Sequence, residues 1–386
     1  MSRRLGAGAD RLWGDTTRRG RLWDDTKVAL PGWITARALV LGVVVFAHFL
    51  YDHLHIPVGR KTLHQGLLAW DGQWYQRIAR HGYGPISRTA LRFFPLYPLL
   101  GRALGIVLGG LYGVALIILA NVPALLFAVL LVRLVRREGG DARTAERAAW
   151  FVALVPPAFV LVFAYSEAVA GCLAVAMFLA LRSKRWWWAV AWGFLSGLTR
   201  PSGALLAVPA AIEGLRGARG LAASEIIGRL AAVVAPLAGV GAYLGWVGLR
   251  FGHPMLPLDI QNRPWLRAGF LDPATAVKNS ATAAFAGHFG GNGIHFPFVL
   301  LFLALVVVVC LRWPLPYGAY AAVTLLVALS AHRLGSVERY CLLTFPFVLA
   351  IVSLTRSRRV ELGVLVASGA CMAGFATLAL LGAYVP

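Results

Sequence analysis

The sequence predicts an all-α, polytopic transmembrane protein of about eleven spans. Three observations lead there. Hydrophobic residues fill 59% of the 386 positions and charged residues only 14%, where a soluble domain carries about a quarter. The apolar residues are gathered into runs; 300–311 and 363–386 contain no Asp, Glu, Lys or Arg. Runs of about 20 such residues suit a hydrocarbon core about 30 Å thick. The runs are also continuous in Leu, Ala and Val, without the alternation of a lumen-facing strand, so helices and not a barrel follow.

Residues 1–30 are polar and basic and read as a cytoplasmic tail with little fixed structure. No cleavable signal is evident; the first apolar run begins near Ile34 and serves as the first anchor. Residues 31–386 then form one transmembrane domain. Spans are expected at 32–51, 111–134, 148–164, 167–182, 186–199, 203–215, 229–250, 296–311, 315–331, 341–355 and 361–383. The fifth and sixth are short and flank Thr199-Arg200-Pro201-Ser202-Gly203, the pattern of a broken or re-entrant pair. Residues 52–110 and 251–295 are too long for plain connectors. They hold Trp, Tyr, Phe, Pro and His, so they read as ordered extracytoplasmic loops. Leu68, Trp74, Tyr75 and Ile78 recur at helical spacing, which predicts an interfacial helix over Leu67–Ala79. Leu96–Leu111 is apolar but interrupted by Pro98, Gly101 and Arg102, and reads as a surface or re-entrant helix. A crossing there would make the count twelve and flip every later loop.

Orientation follows from the cations. With the N-terminus inside, Arg133, Arg136, Arg137, Arg143 and Arg147 return to the cytoplasmic side. So do Arg182, Lys184 and Arg185, then Arg216, Arg219 and Arg229, then Arg356, Arg358 and Arg359. The 52–92 loop alone runs against this rule. The net charge of +21 would suggest nucleic acid in a soluble chain; here it marks basic loops facing anionic lipid, and nucleic acid is set aside. Cys172, Cys310, Cys341 and Cys371 lie in apolar runs without a CxxC pair, as small core residues do.

Ionisable residues at the outer ends of the spans are functional candidates. They are Asp71, Glu167, Arg200, His253, Asp259, Arg263, His332, Arg333, Glu338 and Arg339, with Tyr340 beside the last. Each has a plainer reading. Asp71 suits a helix cap and Trp70, Trp74 and Tyr75 an aromatic belt. Glu167 suits a helix start, and Arg200 and Arg339 can snorkel to lipid. His53, His55 and His64 suggest a metal only weakly, lacking a carboxylate at ligand spacing. No residue pattern points to a definite cofactor, and acidic loop residues with water leave room for a divalent metal.

Taken together, Trp70-Asp71-Gly72-Gln73-Trp74-Tyr75 with Ile78-Ala79 and Gly82-Tyr83, then Phe93-Phe94-Pro95-Leu96-Tyr97-Pro98, form a pattern. Tyr165-Ser166-Glu167, Leu198-Thr199-Arg200, Arg339-Tyr340 and Phe345-Pro346 continue it. This series resembles the PIG-V-like branch of the glycosyltransferase C superfamily, in order and approximate spacing from about residue 30 to 355. The resemblance implies a mannosyltransferase of the cell envelope, in the plasma membrane, with its active site extracytoplasmic. It implies a polyprenyl-phosphate mannose donor and a lipid, glycan or protein acceptor. The chemistry then needs a carboxylate to take the acceptor proton, for which Asp71 is chosen, and cations for the phosphate, for which Arg200, Arg339 and His332 are chosen. Trp70, Trp74, Tyr75, Tyr97, Glu167, His253 and Tyr340 complete the expected substrate site. Direct displacement would invert the anomeric centre. A transporter or flippase of a lipid-linked sugar, or a structural membrane partner, remain the competing readings.

Overall fold

A computed structural model describes residues 16–54, 60–217, 220, 222–288 and 292–384. Arg3, Arg4, His55 and Arg219 lie outside them. Within the described residues every regular element is helical. In chain order these are α1 (Thr16–Leu54), α2 (Arg60–Gln65), α3 (Asp71–His81), α4 (Leu96–Val107), α5 (Tyr112–Arg137) and α6 (Ala142–Leu154). Next come α7 (Glu167–Arg182), α8 (Trp186–Thr199), α9 (Ala207–Leu215), α10 (Ala223–Phe251), α11 (Leu256–Gln261) and α12 (Pro273–Phe285). The last five are α13 (Phe296–Arg312), α14 (Leu315–Leu329), α15 (Val337–Leu342), α16 (Phe345–Leu354) and α17 (Arg358–Leu380). Among the described residues, five helical stretches are long and apolar enough to cross a membrane: Leu22–His53, Tyr112–Arg137, Ala223–Phe251, Asn292–Arg312 and Arg358–Leu380.

Side-chain contacts sort the helix ends into two groups. At one end, Asp25 near the start of α1 is buried against Arg133 and Arg136 at the end of α5. There Arg182, closing α7, pairs with Glu138 (2.7 Å) and with Glu213 near the end of α9 (3.0 Å). Arg229, early in α10, donates to the Gly214 and Arg216 carbonyls (2.7 Å each). Arg143, starting α6, meets Glu361, starting α17, at 3.0 Å. Tyr317, starting α14, donates to Glu138 (3.0 Å), and Trp313 after α13 donates to Ser353 near the end of α16 (2.9 Å). The cations that sequence reasoning assigned to one side are thus drawn to one end of the bundle. Followed between the two ends, α1, α5, α6 with the 3-10 turn Pro156–Leu161, α7, α8, the 3-10 turn Pro201–Leu206 with α9, α10, α13, α14, α16 and α17 alternate in direction.

Several expectations change. The tail is helical from Thr16 onward, because Asp25 finds two guanidinium partners on α5 and its charge no longer calls for water. Pro31 lies inside α1. The interfacial helix over 67–79 is cut in two: a 3-10 turn covers Gly66–Leu68, and α3 starts afresh at Asp71 after Trp70 adopts φ +59°. Helix α4 has 12 residues, about 18 Å at 1.5 Å per residue, too short to cross by itself. It turns back through Gly109 and Gly110, both at positive φ, and packs on α5. The tenth segment starts at Phe345, with α15 a separate short helix before it. Cys172 and Cys341 are buried as expected, but Cys310 and Cys371 face outward.

Candidate active site

The opposite end is built around two helix starts. Asp71 is the first residue of α3 and Glu167 the first of α7; a carboxylate in a first turn also faces the positive end of the helix dipole. Tyr75, one turn into α3, meets Ser166 Oγ at 2.9 Å and so locks the two starts together. The Asp71 N–H donates to Tyr165 Oη at 3.4 Å.

Arg200 enters where Pro201 ends α8. A proline donates no backbone hydrogen bond and pushes the residue before it into extended conformation, and Arg200 is extended, with φ −157° and ψ 152°. Its guanidinium pairs with Glu167. Arg339 comes from α15 and bridges both carboxylates, Nη1 lying 3.1 Å from Asp71 Oδ2 and Nε 3.3 Å from Glu167 Oε1. Arg92 approaches the other Asp71 oxygen at 3.6 Å. Arg92, Asp71, Arg339, Glu167 and Arg200 therefore alternate in charge along one chain, beginning and ending on a guanidinium. Asp71 is the most open of the two acids, its side chain 20% exposed against 5% for Glu167.

Tyr340 stands among three guanidinium groups, those of Arg200, Arg267 and Arg339, each within 6 Å of its ring. Burial by itself would raise its phenol; Arg339, Arg200 and Arg267 outweigh that and hold it below its ordinary value.

These groups line a cavity of about 640 Å³. Its head is polar, with Asp71, Arg92, Glu167, Arg200, Arg267 and Arg339. Below it runs an apolar slot whose walls include Ala170 and Ala174 of α7, Leu205, and Tyr320 of α14. From Glu167 to Ala174 is seven residues of helix, a descent of about 10 Å. The second long loop closes one side with Gln261, Asn262 and Phe270.

Asp71, Tyr75, Glu167, Arg200, Arg339 and Tyr340 thus come together, as the sequence suggests. The other expected site residues sit apart. Tyr97 is buried behind Tyr75 and donates its hydroxyl to the Leu116 carbonyl (2.8 Å). Trp70 points away and donates to the Ala379 carbonyl (2.9 Å). Trp74 stacks on Phe93, outside the cavity wall. His253 is exposed beside Asp259 (3.4 Å). His332 is exposed, and its carbonyl accepts from Asn292 (2.6 Å). Sequence reasoning missed Arg92 as a site residue; its place directly before Phe93-Phe94-Pro95 was the available signal. It also missed Arg267, which donates to the Val327 and Ala328 carbonyls at the end of α14. Among the described residues no three of His, Cys, Asp and Glu gather as a metal site; both site carboxylates face guanidinium groups.

Residues 56–212 match the family model Mannosyltransferase (PIG-V). No curated protein matches the chain. The match and the apolar helical fold support a membrane mannosyltransferase. The matched segment runs from α2 to α9 and carries Asp71, Arg92, Glu167 and Arg200; Arg339 and Tyr340 lie beyond it.

Proposed function

We propose that the chain transfers mannose from polyprenyl-phosphate mannose to an acceptor hydroxyl on the extracytoplasmic side of the plasma membrane, inverting the anomeric centre, with Asp71 as general base. The observation that carries this is the five-membered charge chain at the head of an apolar slot. A phosphodiester brings one negative charge, and the chain of three cations and two carboxylates has an excess of one positive charge. As the acceptor oxygen attacks the anomeric carbon, the bond from that carbon to the phosphate oxygen breaks, and Asp71 takes the hydroxyl proton. The leaving phosphate then carries two negative charges. With Asp71 neutral, the chain carries two positive ones. The chain, taken without Arg267 beside it, follows the charge of the phosphate through the step, which is how fixed charges lower a barrier.

The slot gives the prenyl chain an apolar path from the phosphate toward the bilayer interior. In the free protein Arg339 and Arg92 hold Asp71; a phosphate that draws these guanidinium groups to itself, by the forked contacts they favour, releases the carboxylate to act. Glu167 keeps Arg200 and Arg339 oriented. The orientation rests on the basic clusters gathered at the far end, which favour the cytoplasm.

Purified protein given polyprenyl-phosphate mannose and candidate acceptors provides the test. Transfer with inversion, lost in Asp71→Asn while donor binding persists, is expected. Transfer that survives Asp71→Asn removes Asp71 as the base; transfer only from a nucleotide sugar removes the donor. Movement of the lipid-linked sugar across vesicles without transfer would favour the flippase reading. For sidedness, an impermeant thiol reagent should label His332→Cys from outside and Arg359→Cys only from within.

A further inference from the structure

We propose that the C-terminal end of α17, with the residues packed on it, is a platform that sets Asp71 against Arg339, and that Trp70, Glu338, His295 and Tyr384 are positioning residues for the reaction. The proposal rests on the reading of Asp71 and Arg339 as the reacting centre. None of the α17 end falls in the segment matched by the family model.

The two partners of the central ion pair come from remote parts of the chain, and each is preceded by a residue tied to the α17 end, Trp70 directly and Glu338 through Tyr384, with His295 of the 3-10 turn Asn292–His295 as its closest partner. Trp70, before Asp71, donates its indole N–H to the Ala379 carbonyl at 2.9 Å. Thr62, at the approach to it, donates to the neighbouring Leu380 carbonyl at 2.8 Å. Glu338, before Arg339, has one carboxylate oxygen 2.6 Å from His295 Nδ1 and the other 3.5 Å from Tyr384 Oη. Tyr384 in turn stacks on Phe375 of α17, ring centres 4.9 Å apart. Glu338 is 1% exposed and His295 7%, so neither serves solvent, and neither lines the cavity.

Backbone geometry points the same way. Trp70 and Ser336, which lead into α3 and α15, both take positive φ (59° and 65°) without being glycine. Such conformations are unfavourable for residues with a side chain and persist where the surroundings impose them. Here the imposing contacts are the indole bond to Ala379 and the His295–Glu338–Tyr384 cluster. α15 has six residues and is too short to fix its own direction, and at α3 the residue before Asp71 is held by the Ala379 carbonyl. Loss of either anchor lets one partner of the Asp71–Arg339 pair drift, and misplacement by about 1 Å can cost 10²-fold in rate.

The test uses the full chain with Trp70→Phe, Glu338→Gln and the double variant. Hydrogen exchange reads the platform itself. Amides of residues 70–73 and 337–341 should exchange about tenfold faster in either single variant, in both segments together, while residues 131–137 at the far end keep their protection. Transfer assays read the consequence: kcat/KM should fall about tenfold in each single variant. The double variant should be little worse, because both changes act through one ion pair. Glu338→Asp should restore part of the loss. Exchange confined to the mutated segment, or spread evenly over the molecule, overturns the platform whatever the activity does. Losses that multiply in the double variant overturn it as well. Coupled exchange with transfer unaffected in every variant, Asp71→Asn included, leaves the platform standing as structure and overturns instead the reading of Asp71 as the base.

Discussion

At the basic end of the bundle, carboxylates are enclosed by the cations they serve: Asp25 between Arg133 and Arg136, Glu138 and Glu213 on Arg182, Glu361 between Arg143 and Arg358. These pairs tie helix ends to one another. At the other end the same two chemical groups line an open cavity. A closed pair has its Coulombic gain already taken up in holding the fold, offset by desolvation. A charge chain that lines a cavity can turn its guanidinium groups to a ligand. The difference teaches that position in the bundle, more than residue type, separates structural from functional arginines in this chain.

The largest effect that would break the comparison belongs to Asp71→Asn. It removes the proton acceptor with almost no change in shape, so transfer should fall about 10³-fold, close to 4 kcal/mol in the barrier. Melting temperature should hold within a few degrees. A collapse in stability with activity per folded molecule intact would place Asp71 with the structural acids. Next comes Arg182→Ala. It leaves Glu138 and Glu213 without their shared cation, although Arg216 still meets Glu213 at 3.0 Å. About 2–3 kcal/mol of stability should be lost, read by denaturant unfolding in detergent, with kcat within about twofold. A variant equally stable but catalytically dead would show that the basic end takes part in the reaction.

How much of this was legible beforehand varies by residue. Apolar run length and cation position are local properties, and they suffice to order the alternating segments and to gather Arg133, Arg136, Arg143, Arg182, Arg229 and Arg358 at one end. The start of α1 was hidden because Asp25 is neutralised by residues more than a hundred positions away. Asp71, Glu167, Arg200 and Arg339 stood out since a charge beside an apolar run is rare. His253 and His332 stood out for the same reason, but rarity does not tell which way a side chain points, and both face outward. Tyr97 shares a motif with Phe93 and Phe94, yet its hydroxyl is taken by the Leu116 carbonyl. Arg92 looked like one more loop cation, because only the fold brings it to Asp71.

Two smaller predictions sharpen the contrast between a site that receives a ligand and one that does not. Ala174→Phe places a ring in the slot below the charge chain. Donor with a long prenyl chain should lose about tenfold in kcat/KM, roughly 1.4 kcal/mol, chiefly through KM. A short-chain, water-soluble donor should lose less than half as much on the free-energy scale. Equal losses for both donors would mean that the slot does not hold the lipid.

The smallest effect expected is that of Tyr243→Phe. Tyr243, near the end of α10, donates its hydroxyl to the Leu91 carbonyl at 2.8 Å, and Tyr83 donates to the Phe93 carbonyl at 2.6 Å. The backbone is thus gripped on both sides of Arg92. The phenylalanine ring keeps the contacts with Phe94 and Trp246 and removes one buried hydrogen bond, worth about 1 kcal/mol. If that bond acts by aiming Arg92, the loss should show as about a fivefold fall in kcat/KM with unfolding little changed. If it acts only as packing, stability should fall by that amount and catalysis should not. Adding Arg92→Gln separates the two: beside it, Tyr243→Phe should cost nothing further in transfer, because the guanidinium that the carbonyl clamp aims would already be gone.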